Sequence, residues 1–135
     1  RKIAWYENTD GRGSFGAEQV IVIESPGNFL NKVYAADVDA DGDNDILTGT
    51  FFNSAWHENE DGRGAFGEAQ IIDSYGGLLH PADIDGDGDA DVISAAEFDN
   101  RIVWFENTDG HAHGHTDRGS LRRTDALDLH DLFGR

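Results

Sequence analysis

The sequence lacks cysteine, methionine and any long apolar run. Without cysteine it can have no disulfide framework, no cysteine-ligated zinc site and no thiol nucleophile. Without a run of about 18 apolar residues it predicts no membrane-spanning helix, and features of a signal peptide are missing. Because position 1 is not methionine, we expect a processed product or a piece of a longer protein.

Basic residues are also scarce, since 10 Lys and Arg stand against 27 Asp and Glu, which gives a formal net charge of −17. Phosphate backbones and anionic membrane surfaces would repel such a chain, so we expect neither a nucleic-acid partner nor membrane insertion. The length of 135 residues fits one domain. A hydrophobic content of 38% is enough for a packed core.

The charge is uneven along the chain. Residues 1–110 hold 6 basic and 23 acidic residues, whereas residues 111–135 hold 4 of each, together with four of the six histidines. This change in composition predicts a boundary between residues 110 and 111.

Two sequence units recur within residues 1–110. The first reads AWYENTDGRGSFG from Ala4 and AWHENEDGRGAFG from Ala55, at an offset of 51, and starts again as VWFENTDG at Val103. The second reads ADVDADGDND from Ala36 and ADIDGDGDAD from Ala82, at an offset of 46. A repeat of about 50 residues therefore occurs a little more than twice.

The repeat has the pattern of short β-strands joined by tight turns. Aromatic and β-branched residues form short runs, and Asp-Gly, which favours tight turns, follows three of them. The predicted strands cover residues 2–7, 15–23, 33–38, 46–51, 53–58, 66–72, 79–84, 92–96 and 101–106. Four antiparallel strands per repeat predict an all-β fold built from β-propeller blades. A β-solenoid is the alternative architecture, although its repeats are usually shorter and more regular.

Two acidic loops with the pattern D-x-D-x-D-G-D-x-D lie between these strands. So many carboxylates in so short a segment repel one another unless a cation lies among them. Calcium takes six to eight hard oxygens, and the glycine permits the sharp turn that wraps a loop around an ion. We therefore predict one Ca²⁺ site in each loop. Magnesium fits less well, because it retains several waters and needs octahedral geometry.

The predicted ligands are the carboxylates of four aspartates in each loop and the backbone carbonyl of a fifth. In the first loop these are Asp37, Asp39, Asp41 and Asp45, with Asp43 binding through its main chain. In the second loop they are Asp83, Asp85, Asp87 and Asp91, with Asp89 binding through its main chain. An EF-hand begins in the same way but needs flanking helices and a glutamate where this chain has Thr48 and Ser94, so we set it aside.

The loops and the AWHENEDGRGAFG unit together resemble the FG-GAP/VCBS-type repeats of integrin-α-like β-propellers over residues 1–110. The resemblance implies a partial blade at 1–23, a full blade at 33–72 and a partial blade at 79–110, within a ring of about seven blades. It implies a Ca²⁺-binding loop between the first two strands of a blade.

The same resemblance implies a secreted or cell-surface module that is not an enzyme and acts in binding or adhesion. Its partners would be a protein or carbohydrate ligand at the propeller face, and either the remaining blades of a parent protein or further copies of itself. The alternative is a lectin-like, carbohydrate-binding propeller or the accessory propeller of a polysaccharide-active enzyme.

Residues 111–135 do not continue the repeat. Residues 124–133 have the pattern of a short amphipathic helix capped by Thr124, and the alternating His111, His113 and His115 could bind a transition metal. The prediction we favour is an atypical tail, disordered or foreign, that lacks the fourth strand of the last blade and is dispensable for folding.

The sequence contains no catalytic motif with a serine or cysteine nucleophile or a zinc-binding helix. Glutamate and asparagine recur at one place in every repeat, which favours an architectural role, because an active site is normally singular. These residues are Glu7, Glu58, Glu106, Asn8, Asn59 and Asn107. We expect His57 and His80 to be structural, and Trp5, Trp56 and Trp104 to form the core between blades rather than platforms for sugars.

Overall fold

The computed structural model describes residues 2–23, 29–74, 76–96, 101–108 and 121–128. Within these residues the structure contains β-strands and no helix. The strands are β1 (Lys2–Asn8), β2 (Phe15–Ile23), β3 (Leu30–Ala36), β4 (Asp45–Thr50), β5 (Ser54–His57), β6 (Gln70–Asp73), β7 (Leu78–Ala82), β8 (Asp91–Ala96), β9 (Arg101–Asn107) and β10 (Leu121–Asp128). The predicted all-β class is therefore confirmed for this part of the chain.

The strands form three antiparallel sheets in which neighbours along the chain are neighbours in the sheet. Strands β3 to β6 form one four-stranded sheet, β7 to β10 form a second, and β1 and β2 form a two-stranded sheet. Strands β1, β5 and β9 correspond to one another, because each carries the tryptophan of the repeat. Consecutive strands are usually neighbours in space, which agrees with this up-and-down order.

Each predicted strand overlaps an observed one, and the largest difference is at residues 66–72, where β6 begins only at Gln70. Phe66 forms only an isolated antiparallel bridge with Asn59, and residues 67–69 lie outside any strand. Asp61 Oδ1 accepts hydrogen bonds from the backbone N–H groups of Arg63, at 2.8 Å, and Ala65, at 3.0 Å. An aspartate that binds the backbone two and four residues ahead stabilises the turn that precedes this segment.

The two four-stranded sheets share one hydrophobic core and contact each other through β3 and β4 on one side and β7 on the other. The buried core residues are Val38, Leu47, Trp56, Leu79, Val92, Val103 and Phe105. Burying a side chain such as Leu47 contributes about 1.5–3 kcal/mol. A Cβ atom at Gly49 would lie 2.6 Å from the carbonyl oxygen of Gly77, so this glycine permits the close approach of the two sheets.

Part of the tail forms the fourth strand of the last sheet, contrary to the sequence prediction. Strand β10 pairs antiparallel with β9, with Leu121 opposite Asn107 and Thr124 opposite Trp104. The predicted helix over residues 124–133 is wrong for residues 124–128, which are extended. The free edge of β9 offers unpaired N–H and C=O groups, and pairing with them outweighs local helix propensity, which is a weak determinant. The three alternating tail histidines and Asp109-Gly110 lie outside the described residues.

Truncation after Gly110 should destabilise the protein, because it removes β10 from the edge of β9. Ladder hydrogen bonds contribute about 1 kcal/mol each, and the entropy of ordering the strand opposes them. We expect a net loss of about 1–3 kcal/mol in the free energy of unfolding measured with urea. The control is truncation after Asp128, which retains β10 and should leave the midpoint unchanged. Equal stability of the full chain and the chain ending at Gly110 would contradict the role of β10.

Candidate metal centre

Both acidic segments connect adjacent antiparallel strands. Loop 1, residues 37–45, leads from β3 into β4, and loop 2, residues 83–91, leads from β7 into β8. The flanking strands are paired up to the loops, with Ala36 opposite Asp45 and Ala82 opposite Asp91. The two sheets therefore fix both ends of each loop close together.

Backbone N–H groups within each loop donate to the aspartate carboxylates. Gly42 donates to Asp37 Oδ2, and Gly88 donates to Asp83 Oδ2, both at 3.1 Å. The two glycines have φ angles of 100° and 101°, which a residue with a side chain would adopt only under strain. The two loops therefore share this turn, although Asp83 Oδ1 also accepts from the Gly86 N–H, at 2.7 Å, and Asp37 Oδ1 has no such partner.

Three carboxylates converge in each loop. One oxygen from each of Asp37, Asp39 and Asp45 lies within 4.8 Å of the others. The same holds for Asp83, Asp85 and Asp91. Two oxygens bound to one Ca²⁺ ion at about 2.3–2.6 Å can lie up to about 5 Å apart, so each group can surround a single ion.

The structure brings together three of the four predicted carboxylate ligands in each loop. Asp41 and Asp87 do not belong to these groups. Their Oδ1 atoms instead accept hydrogen bonds from the N–H groups of Asp43 and Asp89, both at 3.0 Å. Ligation by Asp41 and Asp87, and by the backbone carbonyls of Asp43 and Asp89, stays a prediction.

Two carboxylate oxygens in loop 1, Asp37 Oδ1 and Asp43 Oδ1, are buried without a hydrogen bond among the described residues. Asp37 Oδ1 has no hydrogen-bond partner among the described residues, although Asp37 Oδ2 is bound by Gly42. An uncompensated buried polar atom of a charged group costs several kcal/mol or neutralises its charge. A divalent cation between Asp37, Asp39 and Asp45 would remove this cost, so the donor set of loop 1 fits Ca²⁺.

Burial, and then repulsion between neighbouring carboxylates, raises the pKa of Asp39, and the pKa of Asp85 is raised as well. The pKa of Asp39 is raised to about 6, first by burial and then by repulsion from Asp45 and Asp41. In loop 2 the hydrogen bond from the Asp87 N–H lowers the pKa of Asp85, but desolvation and neighbouring carboxylates outweigh it, so the net change is upward. Without a cation, folding therefore disfavours the charged forms of Asp39 and Asp85.

Two asparagines that are predicted to be architectural, Asn59 and Asn107, hold the last aspartate of each loop. The N–H of Asn59 donates to Asp45 Oδ1, and the N–H of Asn107 donates to Asp91 Oδ1, both at 2.8 Å. In addition, Asp45 Oδ2 accepts from the Val38 N–H, at 3.0 Å. The signal that could have identified the asparagines is their recurrence after the Trp-x-Glu motif at the end of the third strand of each sheet.

The loops differ in how deeply they are buried. Val38 in loop 1 is 1% exposed and belongs to the core, whereas its counterpart Ile84 in loop 2 is 42% exposed. Likewise Asp37 and Asp39 are half-buried, while Asp83 and Asp85 are exposed. The second sheet packs beside loop 1, and within the described residues nothing packs in the same way beside loop 2.

The remaining candidates take structural positions. His57 is buried, and its Nδ1 atom lies 3.4 Å from the carbonyl oxygen of Gly67. The rings of His80 and Tyr34 meet edge to face, with centroids 5.7 Å apart, where β7 lies near β3. Trp56 is buried in the shared core, which agrees with its predicted place, whereas Trp5 and Trp104 are half-buried.

An open cavity of about 880 Å³ lies between the β1–β2 sheet and the sheet that carries loop 1. Its lining includes Trp5, Gln19, Arg63 and Asn59. A Cβ atom at Gly64 would lie 2.2 Å from the Trp5 ring, so the glycine allows the indole to lie against the backbone. An aromatic ring beside amide and guanidinium groups is a surface that could accept a small polar molecule.

Comparison of the chain with protein-family models, with curated proteins and with solved structures gives no match. Within the described residues no helix is long and apolar enough to cross a membrane.

The stability of the calcium-free protein should fall as the pH rises from about 4 to about 6. The pKa of Asp39 rises from its ordinary value of 3.8 to about 6 on folding. Between these values the folded state holds more protons than the unfolded state, so stabilisation by this group is complete below about pH 4 and lost above about pH 6. Urea unfolding in the presence of a chelator measures this dependence.

The control for the pH dependence is Asp39→Asn. Its free energy of unfolding should change less between about pH 4.5 and 6.5, because the substitution removes the carboxyl group that titrates at about pH 6 in the folded protein. Carboxyl groups with a lowered pKa act in the opposite sense, but only below this range; they are Asp10, Glu18 and Asp61. Identical slopes for wild type and Asp39→Asn would contradict the raised pKa of Asp39.

Proposed function

We propose that this chain is a calcium-binding β-propeller repeat module of a secreted or cell-surface protein, without catalytic activity, that acts in binding or adhesion. The observation that carries the proposal is the pair of equivalent loops, each with three converging carboxylates at the same place in its sheet. Two copies of one geometry are a stronger argument for a common ligand than a single acidic turn, which is often only solvated.

The donor chemistry supports calcium. All donors in both groups are carboxylate oxygens, which hard cations prefer, and neither group contains histidine. The loops are short and held by backbone N–H donors such as those of Gly42 and Gly88. Residues 37–45 and 83–91 would hold one Ca²⁺ ion each. The positive charge of each ion would attract the loop carboxylates where β3 connects to β4 and where β7 connects to β8.

The packing of the sheets supports the propeller architecture. Two four-stranded meanders of the same sequence pattern lie side by side in one core, and the β1–β2 sheet corresponds to the outer half of a further unit. Radial repetition of four-stranded sheets is the plan of a propeller. A propeller presents loops on its faces, and we propose that a protein or carbohydrate ligand binds there, with the remaining blades or further copies of the chain completing the ring.

Calorimetric titration should detect two Ca²⁺ sites, one for each loop. Asp39→Asn should weaken binding to loop 1, and Asp85→Asn binding to loop 2, each by at least about tenfold, because affinity follows the number of charged ligands. Each site should stabilise the folded chain by about 2.7 kcal/mol at a hundredfold excess of calcium over Kd. Melting curves with calcium and with a chelator measure this gain.

The matched control for calcium binding is Asp61→Asn. It also removes one negative charge, but Asp61 lies in the turn between β5 and β6, and the amide oxygen can still accept from Arg63 and Ala65. This variant should bind calcium as wild type does. If millimolar calcium produces no heat of binding and no shift in the melting temperature of wild type, the proposal is refuted.

A carbohydrate-binding role is the second candidate, and the cavity beside Trp5 is the observation that favours it. If neutral hexoses or N-acetylhexosamines bind there, they should change tryptophan fluorescence, and Gln19→Ala with Arg63→Ala should weaken the effect at least about tenfold by removing polar contacts. The control is Arg12→Ala, at an exposed turn residue outside the lining. Equal responses from both variants would exclude this cavity as the sugar site.

A further inference from the structure

The side chain of Asn107 joins the two acidic loops. It lies at the end of β9 and is buried. Its Nδ2 group donates to the carbonyl oxygen of Val38 in loop 1 and, at 3.3 Å, to the carbonyl oxygen of Ala90 in loop 2. One amide group therefore bridges backbone atoms of two loops that belong to different sheets.

These hydrogen bonds complete a continuous path between the two carboxylate groups. In loop 1, Asp45 Oδ2 accepts from the N–H of Val38, whose carbonyl accepts from Asn107. In loop 2, the backbone N–H of Asn107 donates to Asp91 Oδ1. Asp45 and Asp91 are members of the two converging groups. Three hydrogen bonds thus connect a candidate ligand of one ion with a candidate ligand of the other.

Asn59, the counterpart of Asn107, has only local contacts of this kind. Its Nδ2 group donates to the carbonyl oxygen of Asn44, at 3.2 Å, which corresponds to the bond between Asn107 and Ala90. Its Oδ1 atom accepts from the N–H of Gly64, at 2.9 Å. Both partners lie within the sheet of Asn59 or its connections. The two asparagines therefore make the same contact within their own sheets, and Asn107 adds the contact between sheets.

We propose that the Asn107 side chain couples the two cation sites, so that Ca²⁺ in one loop raises the affinity of the other loop for Ca²⁺. This inference rests on the proposed function of the loops. An ion in loop 1 restricts Asp45 and, through it, Val38, which fixes the acceptor for Asn107. The amide is then already ordered when loop 2 closes around its own ion, so the second binding event loses less conformational freedom.

Electrostatic effects between the sites do not depend on this side chain. Binding of one cation reduces the negative potential felt by the next, which opposes cooperativity, and salt screens this effect beyond about 8 Å at physiological ionic strength. Replacement of Asn107 by alanine changes no charge and retains the backbone N–H that donates to Asp91. A change of coupling in Asn107→Ala therefore reports the bridging amide alone.

The experiment compares calcium isotherms of the full chain at about 0.15 M salt. Asp39→Asn isolates loop 2, and Asp85→Asn isolates loop 1. If the sites are coupled, wild type should bind its second ion at least about fivefold more tightly than the single-loop isotherms predict, the lower end of typical couplings. By reciprocity, the same factor should apply in both directions.

Removal of the bridge should abolish this difference. In the Asn107→Ala background the isotherm with both loops intact should equal the combination of its single-loop isotherms. In the Asn59→Ala background, which loses only contacts within the sheet of Asn59 and its connections, the coupling should persist. If Asn107→Ala lowers the melting temperature too far for titration, Asn107→Leu fills the same space without donating a hydrogen bond and replaces it in the test.

The outcomes separate the two hypotheses. Two independent sites in wild type, or undiminished coupling in Asn107→Ala, would overturn the role of Asn107 and leave the calcium sites in place. No calcium binding by either loop would refute the proposed function itself, and with it the premise of the coupling. Coupling lost in Asn107→Ala and retained in Asn59→Ala supports the inference.

Discussion

Repulsion among the loop aspartates is the constraint on which the rest of the structure depends. Two unit charges 4 Å apart interact by about 4 kcal/mol at an effective dielectric constant of 20, and the three converging carboxylate oxygens in each loop lie within 4.8 Å of one another. Backbone N–H groups offset part of this repulsion, as Gly42 does for Asp37. They leave Asp37 Oδ1 without a partner and the pKa of Asp39 at about 6. The backbone by itself therefore does not satisfy the loop, and a cation is the group that would complete it.

In the sheet of strands β3 to β6, one segment contributes both to the hydrophobic core and to the acidic site. Trp56 on β5 is buried between the sheets, and three residues later Asn59 donates its N–H to Asp45. Packing of the tryptophan fixes the register of the third strand, and the register places the asparagine beside the loop between the first two strands. The spacing of the Trp-x-Glu-Asn motif thus links hydrophobic packing to the position of a carboxylate.

Much of the fold could be predicted from the sequence, because the repeat carries short-range signals. Alternating aspartates with Gly42 and Gly88 identified both loops, and aromatic runs identified the strands. Signals that depend on tertiary contact were absent. Residues 121–128 have no strand pattern that distinguishes them from a helix, and the free edge of β9 decides their conformation. Ala40 adopts a φ of 59° at the position where loop 2 has Gly86 at 83°. Closure of loop 1 requires this backbone conformation even though Ala40 carries a side chain. The bond between Asn107 and Val38 spans 69 residues, a distance that no local pattern encodes.

The unequal burial of equivalent positions explains why such repeats occur in series. Val33 on β3 is 46% exposed, whereas its counterpart Leu79 on β7 is 1% exposed, because β7 lies against the preceding sheet. The opposite holds at the loops, where Val38 is buried and Ile84 is exposed. A single sheet therefore needs a preceding sheet to bury one of its sides and a following sheet to bury the other. Stability then depends on interfaces between successive repeats as well as on each repeat itself. Asn107 lies at such an interface, where the contact that joins two sheets also joins their acidic loops.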